Sequence, residues 1–183
     1  GVFTGRAGPL LASSDVLSIT ITGKGGHASM PHDTVDPIPV ACEIVSAIQT
    51  MVTRKVSVFD PAVITIAKIE AGTTNNIIPE TAGLLGTIRT LSPRRRAMVA
   101  EELQRLAPGI AAAHGCEAQV HIEQGFPVTL CDDRAVRFGQ EVVEATFGAE
   151  SWKSLEAPIM GAEDFAYVLE KVPGAMFFLG ASH

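Results

Sequence analysis

Five residues offer side chains or backbone positions suited to chemistry on a small polar molecule: His27, Asn75, Asn76, Arg89 and Gly161. His27 sits in Gly23-Lys24-Gly25-Gly26-His27-Ala28-Ser29-Met30-Pro31-His32, where three glycines permit a tight strand-to-loop corner that presents the imidazole. An imidazole can donate, accept or bind metal. Asn75 and Asn76 lie in a polar loop closed by Pro79. Their amides carry both donors and acceptors, and the plainer alternative is an Asx-type turn. Arg89 falls on the strand face opposite Ile88, and a guanidinium is the group best shaped to grip a carboxylate with two bonds. Gly161 stands where the pattern around Gly161-Ala162-Glu163-Asp164 opens a helix, leaving amide donors for an anion. Glu163 would there suit the helix dipole. No serine has a nucleophile-elbow context, and no His/Cys grouping has zinc-site spacing.

The elements that must position these groups are legible from periodicity. Residues 16–22 alternate, with Leu17, Ile19 and Ile21 on one face, as in a half-buried strand. Asp36 then caps a helix with Pro37 at its first position, and Val40, Ile44, Val45, Ile48 and Met51 form its apolar stripe. Residues 62–69 and about 81–91 read as strands. Ser92-Pro93 starts a second helix carrying Val99, Leu103, Leu106 and Ile110, which Pro108 should kink or end early. Residues 117–123 alternate again. Strand, helix, strand, strand, helix, strand is the split βαβ, ferredoxin-like arrangement, an α+β sheet of four strands with two helices on one face.

After Gly125-Phe126-Pro127 the pattern changes to helices alternating with apolar runs, among them Ala175-Met176-Phe177-Phe178-Leu179, which reads as a strand buried on both faces. Residues 1–14 show no period and read as a connector. They are assigned with 127–183 to one α/β body, into which a ferredoxin-like unit, 15–126, is inserted.

Hydrophobic residues make up 46% of the 183, enough to fill a core, and the net charge of −6 argues against general nucleic-acid affinity. Arg94-Arg95-Arg96 reads as a solvated face. Three cysteines without repeated spacing suggest reduced thiols and a cytoplasmic protein, with Cys42 in the core. No run is apolar enough to span a membrane. The chain opens on Gly1 without Met and reads as part of a longer protein.

Five stretches occur in order: Gly25-Gly26-His27-Ala28-Ser29-Met30-Pro31-His32, Asp36-Pro37-Ile38, Asn75-Asn76-Ile77-Ile78-Pro79, Gly86-Thr87-Ile88-Arg89-Thr90 and Met160-Gly161-Ala162-Glu163-Asp164-Phe165. Together they resemble the metal-dependent aminoacylase and carboxypeptidase family, in the amidohydrolase branch that includes hippurate hydrolase, N-acyl-amino-acid amidohydrolases and auxin-conjugate hydrolases. The resemblance implies a zinc-peptidase-like catalytic domain with an inserted lid that also dimerises. It implies hydrolysis of the amide in an N-acyl amino acid or related conjugate, with two divalent metal ions, zinc or manganese. By the same resemblance His27 enters the partner subunit's site as an oxyanion donor. Asn75 or Asn76 and Arg89 hold the substrate carboxylate, and Gly161 makes a backbone contact beside it. The family's metal ligands and general base have no match here, so no metal ligand is assigned, and the chain alone is expected to be inactive. The competing reading is a non-catalytic dimerisation or small-ligand-binding module of the same shape. Convergence separates the two: the enzyme reading wants His27 of one copy and Asn76 and Arg89 of another in one cleft.

Overall fold

The computed structural model describes residues 1–181, and His183 lies outside them. The described chain runs β1 (Phe3–Gly5), β2 (Gly8–Leu11), β3 (Asp15–Thr22), β4 (Gly26–His27), α1 (Pro37–Lys55), β5 (Ala62–Ala71), β6 (Ile77–Ile78) and β7 (Thr81–Thr90). It continues through α2 (Pro93–Ala113), β8 (Glu117–Gln124), β9 (Thr129–Cys131), α3 (Asp133–Phe147), β10 (Trp152–Ser154), α4 (Ala166–Leu169) and β11 (Phe178–Leu179). Two compact units result: a four-strand unit of Asp15–Arg89 and Arg94–Gln124, and a short-strand unit of Gly1–Ser14, Thr90–Pro93 and the residues from Gly125 on.

In the four-strand unit the sheet order is β5-β7-β3-β8, and β3 runs antiparallel to both of its neighbours. Alternation decides which face is buried. Leu17, Ile19 and Ile21 are inside while Val16, Thr20 and Thr22 are exposed. Across the β3–β7 ladder Ile19 faces Leu84. Helix α1 begins where Asp36 Oδ1 accepts the Ile38 N–H at 2.9 Å and Pro37 takes the first turn. Its Val40, Ile44, Ile48 and Met51 join Val99, Leu103, Ala107 and Ala111 of α2 in one core over that sheet face.

Several expectations need correction here. Pro108 neither ends nor interrupts α2, which continues to Ala113. The fully buried Ala107 and Ala111 flank Pro108, so packing outweighs the lost backbone bond. The arginine cluster is a solvated face only at Arg94. Arg95 is 6% exposed and donates from Nε to the Asp60 carbonyl at 2.8 Å. Arg96 grips the buried Asp15 with both prongs, Nε to Oδ2 at 2.9 Å and Nη2 to Oδ1. Cys42 is exposed on α1, not in the core.

The short-strand unit is built from strands of two to four residues, in sheets ordered β10-β1-β11 and β2-β9. Residues 1–14 are therefore not a bare connector: β1 pairs with both β10 and β11, and β2 with β9. Leu10, Leu11, Cys131, Val136, Val143 and Trp152 form its core. Asp132 caps α3 by accepting the N–H groups of Arg134 and Ala135 at 2.9 and 3.0 Å. The run 175–179 gives only the two-residue β11, half-buried at Phe178 and exposed at Leu179. The helix expected to open at Gly161 starts later, at Ala166, and is four residues long. Glu163 instead accepts the Asp164 N–H at 3.0 Å, so helix-dipole arguments do not apply to it. Among the described residues no helix is long and apolar enough to cross a membrane.

Candidate functional site

The His27 corner is shaped by close backbone approach rather than by unusual torsions: none of its glycines has a positive φ. A Cβ on Gly23 would stand 2.0 Å from the Val35 carbonyl oxygen, and one on Gly25 would stand 2.8 Å from that of Ile78. The second contact reflects a pairing that periodicity does not show. Strand β4 pairs antiparallel with β6, placing Gly26 opposite Ile78 and His27 opposite Ile77. The Ala28 N–H then donates to the Asn76 carbonyl at 3.0 Å. Two loops about 50 residues apart in sequence are thus sewn into one ribbon, and the structure brings His27, Asn75 and Asn76 together within one chain.

The orientation of the imidazole follows from Ser29. Its backbone N–H lies 3.2 Å from His27 Nδ1, and its Oγ lies 2.7 Å from the same atom. A backbone N–H can only donate, so Nδ1 accepts, and the neutral ring carries its proton on Nε2. The exposed ring therefore presents a hydrogen-bond donor outward. Ser29 is the residue that reading the sequence for nucleophiles passes over; its signal is the two-residue spacing after His27. On the facing loop Thr74 Oγ1 lies 3.4 Å from both Asn75 Oδ1 and Asn76 Oδ1, and both amides are exposed in a turn. A cleft of about 410 Å³ opens beside this ribbon, lined by Glu70, Gly72, Thr73, Ile77, Pro79 and Thr81, and neither His27 nor the two asparagines line it.

Arg89 is not part of this ribbon. It lies near the far end of β7, a strand that begins at Thr81, just after the asparagine loop. Eight residue steps along the strand lead from Thr81 to Arg89, about 25 Å at the usual rise. Its Nη1 is buried without a hydrogen-bond partner. One copy therefore groups His27 with Asn76 and holds Arg89 apart, which redraws the expected division of one histidine against an asparagine and an arginine.

The sequence profile of the peptidase dimerisation domain of M20 proteins matches residues 14–114. The chain belongs to the M20 peptidase dimerisation family. This M20 chain is 37% identical to thermostable carboxypeptidase 2 of Saccharolobus solfataricus over 98% of its own length and 45% of that protein. It is 37% identical to N-acetylcysteine deacetylase of Bacillus subtilis over 97% of its length and 46% of that enzyme. A solved Bacillus subtilis structure, a dinuclear metal-binding peptidase of the M20 family, superimposes with a TM-score of 0.76 at 32% identity. That comparison covers 96% of this chain and 43% of the other. The M20 chain thus spans less than half the length of these relatives.

The remaining candidates can be set against that membership. Gly161 lies in a loop of the short-strand unit, where its carbonyl accepts the Ala12 N–H at 2.9 Å, leaving its own N–H as the group able to meet a ligand. Its φ is unexceptional, and a Cβ there would make only ordinary contacts, 3.5 Å from Leu11. Among the described residues no three His, Cys, Asp or Glu side chains gather closely enough to hold a metal ion. The described donors of this M20 chain therefore do not fit a resident metal.

Proposed function

We propose that this chain is the lid and part of the catalytic body of a metal-dependent amidohydrolase that cleaves N-acyl amino acids or related conjugates, working as a homodimer in the cytoplasm. The observation that carries this reading is the His27 ring, fixed by Ser29 with its Nε2–H outward and tied to the asparagine loop. A fixed donor is what a carbonyl oxygen needs as it gains charge during amide hydrolysis. In this proposal His27 donates to that oxygen, while Asn75 and Asn76 supply amide donors beside it. Arg89 meets the substrate carboxylate, and Gly161 contributes its backbone N–H. The similarity to N-acetylcysteine deacetylase of Bacillus subtilis supports an N-acyl amino acid as the substrate class. Two divalent metal ions, zinc or manganese, are held by residues outside this chain, and the chain alone does not turn over.

Because one copy separates Arg89 from His27 along β7, a single site that uses both draws them from two copies. In a full-length enzyme carrying this chain, His27→Ala lowers kcat about 100-fold, the loss typical of an oxyanion donor, while Arg89→Ala acts mainly on KM. At substrate well below the raised KM, where both variants are nearly silent, mixing the two restores activity. Random dimers regain about a quarter of the wild-type rate, since one site in each mixed dimer is intact. No recovery on mixing, with each variant still dimeric, would overturn the shared site.

A further inference from the structure

Nine arginines are present, and the chain accounts for most of them. Arg94, Arg95, Arg96, Arg105 and Arg137 face carboxylates. Arg54 and Arg134 are exposed to water. Arg89 belongs to the site proposed above. Arg6, in the bend between β1 and β2, belongs to nothing yet described, and both its Nε and its Nη1 are buried without a hydrogen-bond partner.

Such a group is costly to keep. A guanidinium stays charged at any accessible pH, and buried donors without acceptors lose their water and gain nothing. The backbone beneath it is also firmly set. The Gly5 carbonyl accepts the Leu155 N–H at 2.9 Å. A Cβ on Gly5 would stand 2.6 Å from the Phe177 ring and 2.9 Å from Trp152, so the chain presses there against that edge-to-face aromatic pair. Ala7 packs on the same core. The side chain thus leaves a fixed base with two donors unmet.

The unit that holds Arg6 does not satisfy it. Asp132 is spent on capping α3, Asp133 on Arg137, Glu144 on Gln140 and Glu163 on the Asp164 N–H. That unit carries five basic against nine acidic side chains. Its negative field disfavours a phosphate dianion and suits a singly charged, planar acceptor matched to a guanidinium edge. We infer that Arg6 is the receptor for a carboxylate that this chain does not itself supply. The inference does not rest on the amidohydrolase reading. The carboxylate has two possible sources, a small-molecule ligand or a polypeptide segment beyond the span this chain shares with its relatives.

Side-chain Nε–Hε NMR of the chain, titrated with sodium acetate against sodium chloride at equal ionic strength, reads Arg6 directly. Arg6→Lys, which keeps the charge and removes the signal, identifies the resonance. A saturable downfield shift with acetate alone is the expected result for an open receptor. The same spectrum is then taken on this chain grafted into the full-length Bacillus subtilis M20 peptidase. A signal already shifted there and insensitive to acetate assigns the carboxylate to the polypeptide. One that still responds to acetate or an N-acetyl amino acid assigns it to a ligand. If Arg6 resonates with the exposed Arg54 and Arg134 in both proteins and ignores acetate, the inference is wrong.

Discussion

The two units solve the problem of burial differently. The four-strand unit uses sheet strands of eight to ten residues and closes its core between one sheet face and two long helices. Its buried acid, Asp15, is gripped by Arg96. The short-strand unit uses strands of two to four residues, leaves Arg6 donors unmet and exposes large side chains along α3, Phe138 at 68% and Phe147 at 63%. A long strand satisfies its own backbone and fixes a register. A short one depends on whatever lies beside it. The four-strand unit is therefore the more regular in its backbone pairing and core, although it too keeps an unmet donor, Arg89 Nη1, and an exposed Phe59.

The sharpest way to break this contrast is at Asp15. Asp15→Ala removes the buried carboxylate that Arg96 grips, and chemical denaturation of the chain should show a loss of about 3 kcal/mol. That is the low end for a buried pair, because Arg96 retains 17% exposure. Leu103→Ala, which empties a fully buried position, should cost about 2–3 kcal/mol by the same measurement. Phe138→Ala should stay within about 0.5 kcal/mol; a larger loss would mean that the exposed α3 face is already covered in solution. Asp132→Ala removes a cap that serves two N–H groups and should lower stability by about 1 kcal/mol, read as loss of helical circular dichroism at lower denaturant. The smallest effect is electrostatic. Arg105, then Lys55, hold the Glu102 carboxyl below its ordinary range. The native state therefore binds that proton less readily than the unfolded chain does. Its stabilisation is present above the unfolded carboxyl's range and fades as pH falls through the lowered native value. Glu102→Gln should destabilise by well under ~1 kcal/mol at neutral pH, as solvent screens the pair, and by nothing in acid.

The same contrast explains what the sequence reveals. Alternation over Leu17, Ile19 and Ile21, and the Asp36-Pro37 start of α1, are local signals repeated over many residues, so strands, helices and their buried faces can be read directly. Long-range partners leave no such trace. Asp15 for Arg96 and Asp60 for Arg95 lie 81 and 35 residues away, so the whole arginine run looks solvated when only Arg94 is. The β4–β6 ribbon has two residues on each side, too few to show a period. Around the site, His27 and the asparagines are visible as residue types, but their adjacency, the Ser29 contact and the distance to Arg89 belong to the fold. In the short-strand unit Phe178-Leu179 looks like a buried strand by composition alone, because apolar character says nothing of which neighbours are present to cover it.

The ribbon constrains how this protein can diverge. With Gly26 and His27 registered against Ile78 and Ile77, the lengths of the histidine loop and the asparagine loop form a matched pair. A relative that inserts residues into one must reshape the other or abandon the pairing, so insertions in the two loops should be inherited together.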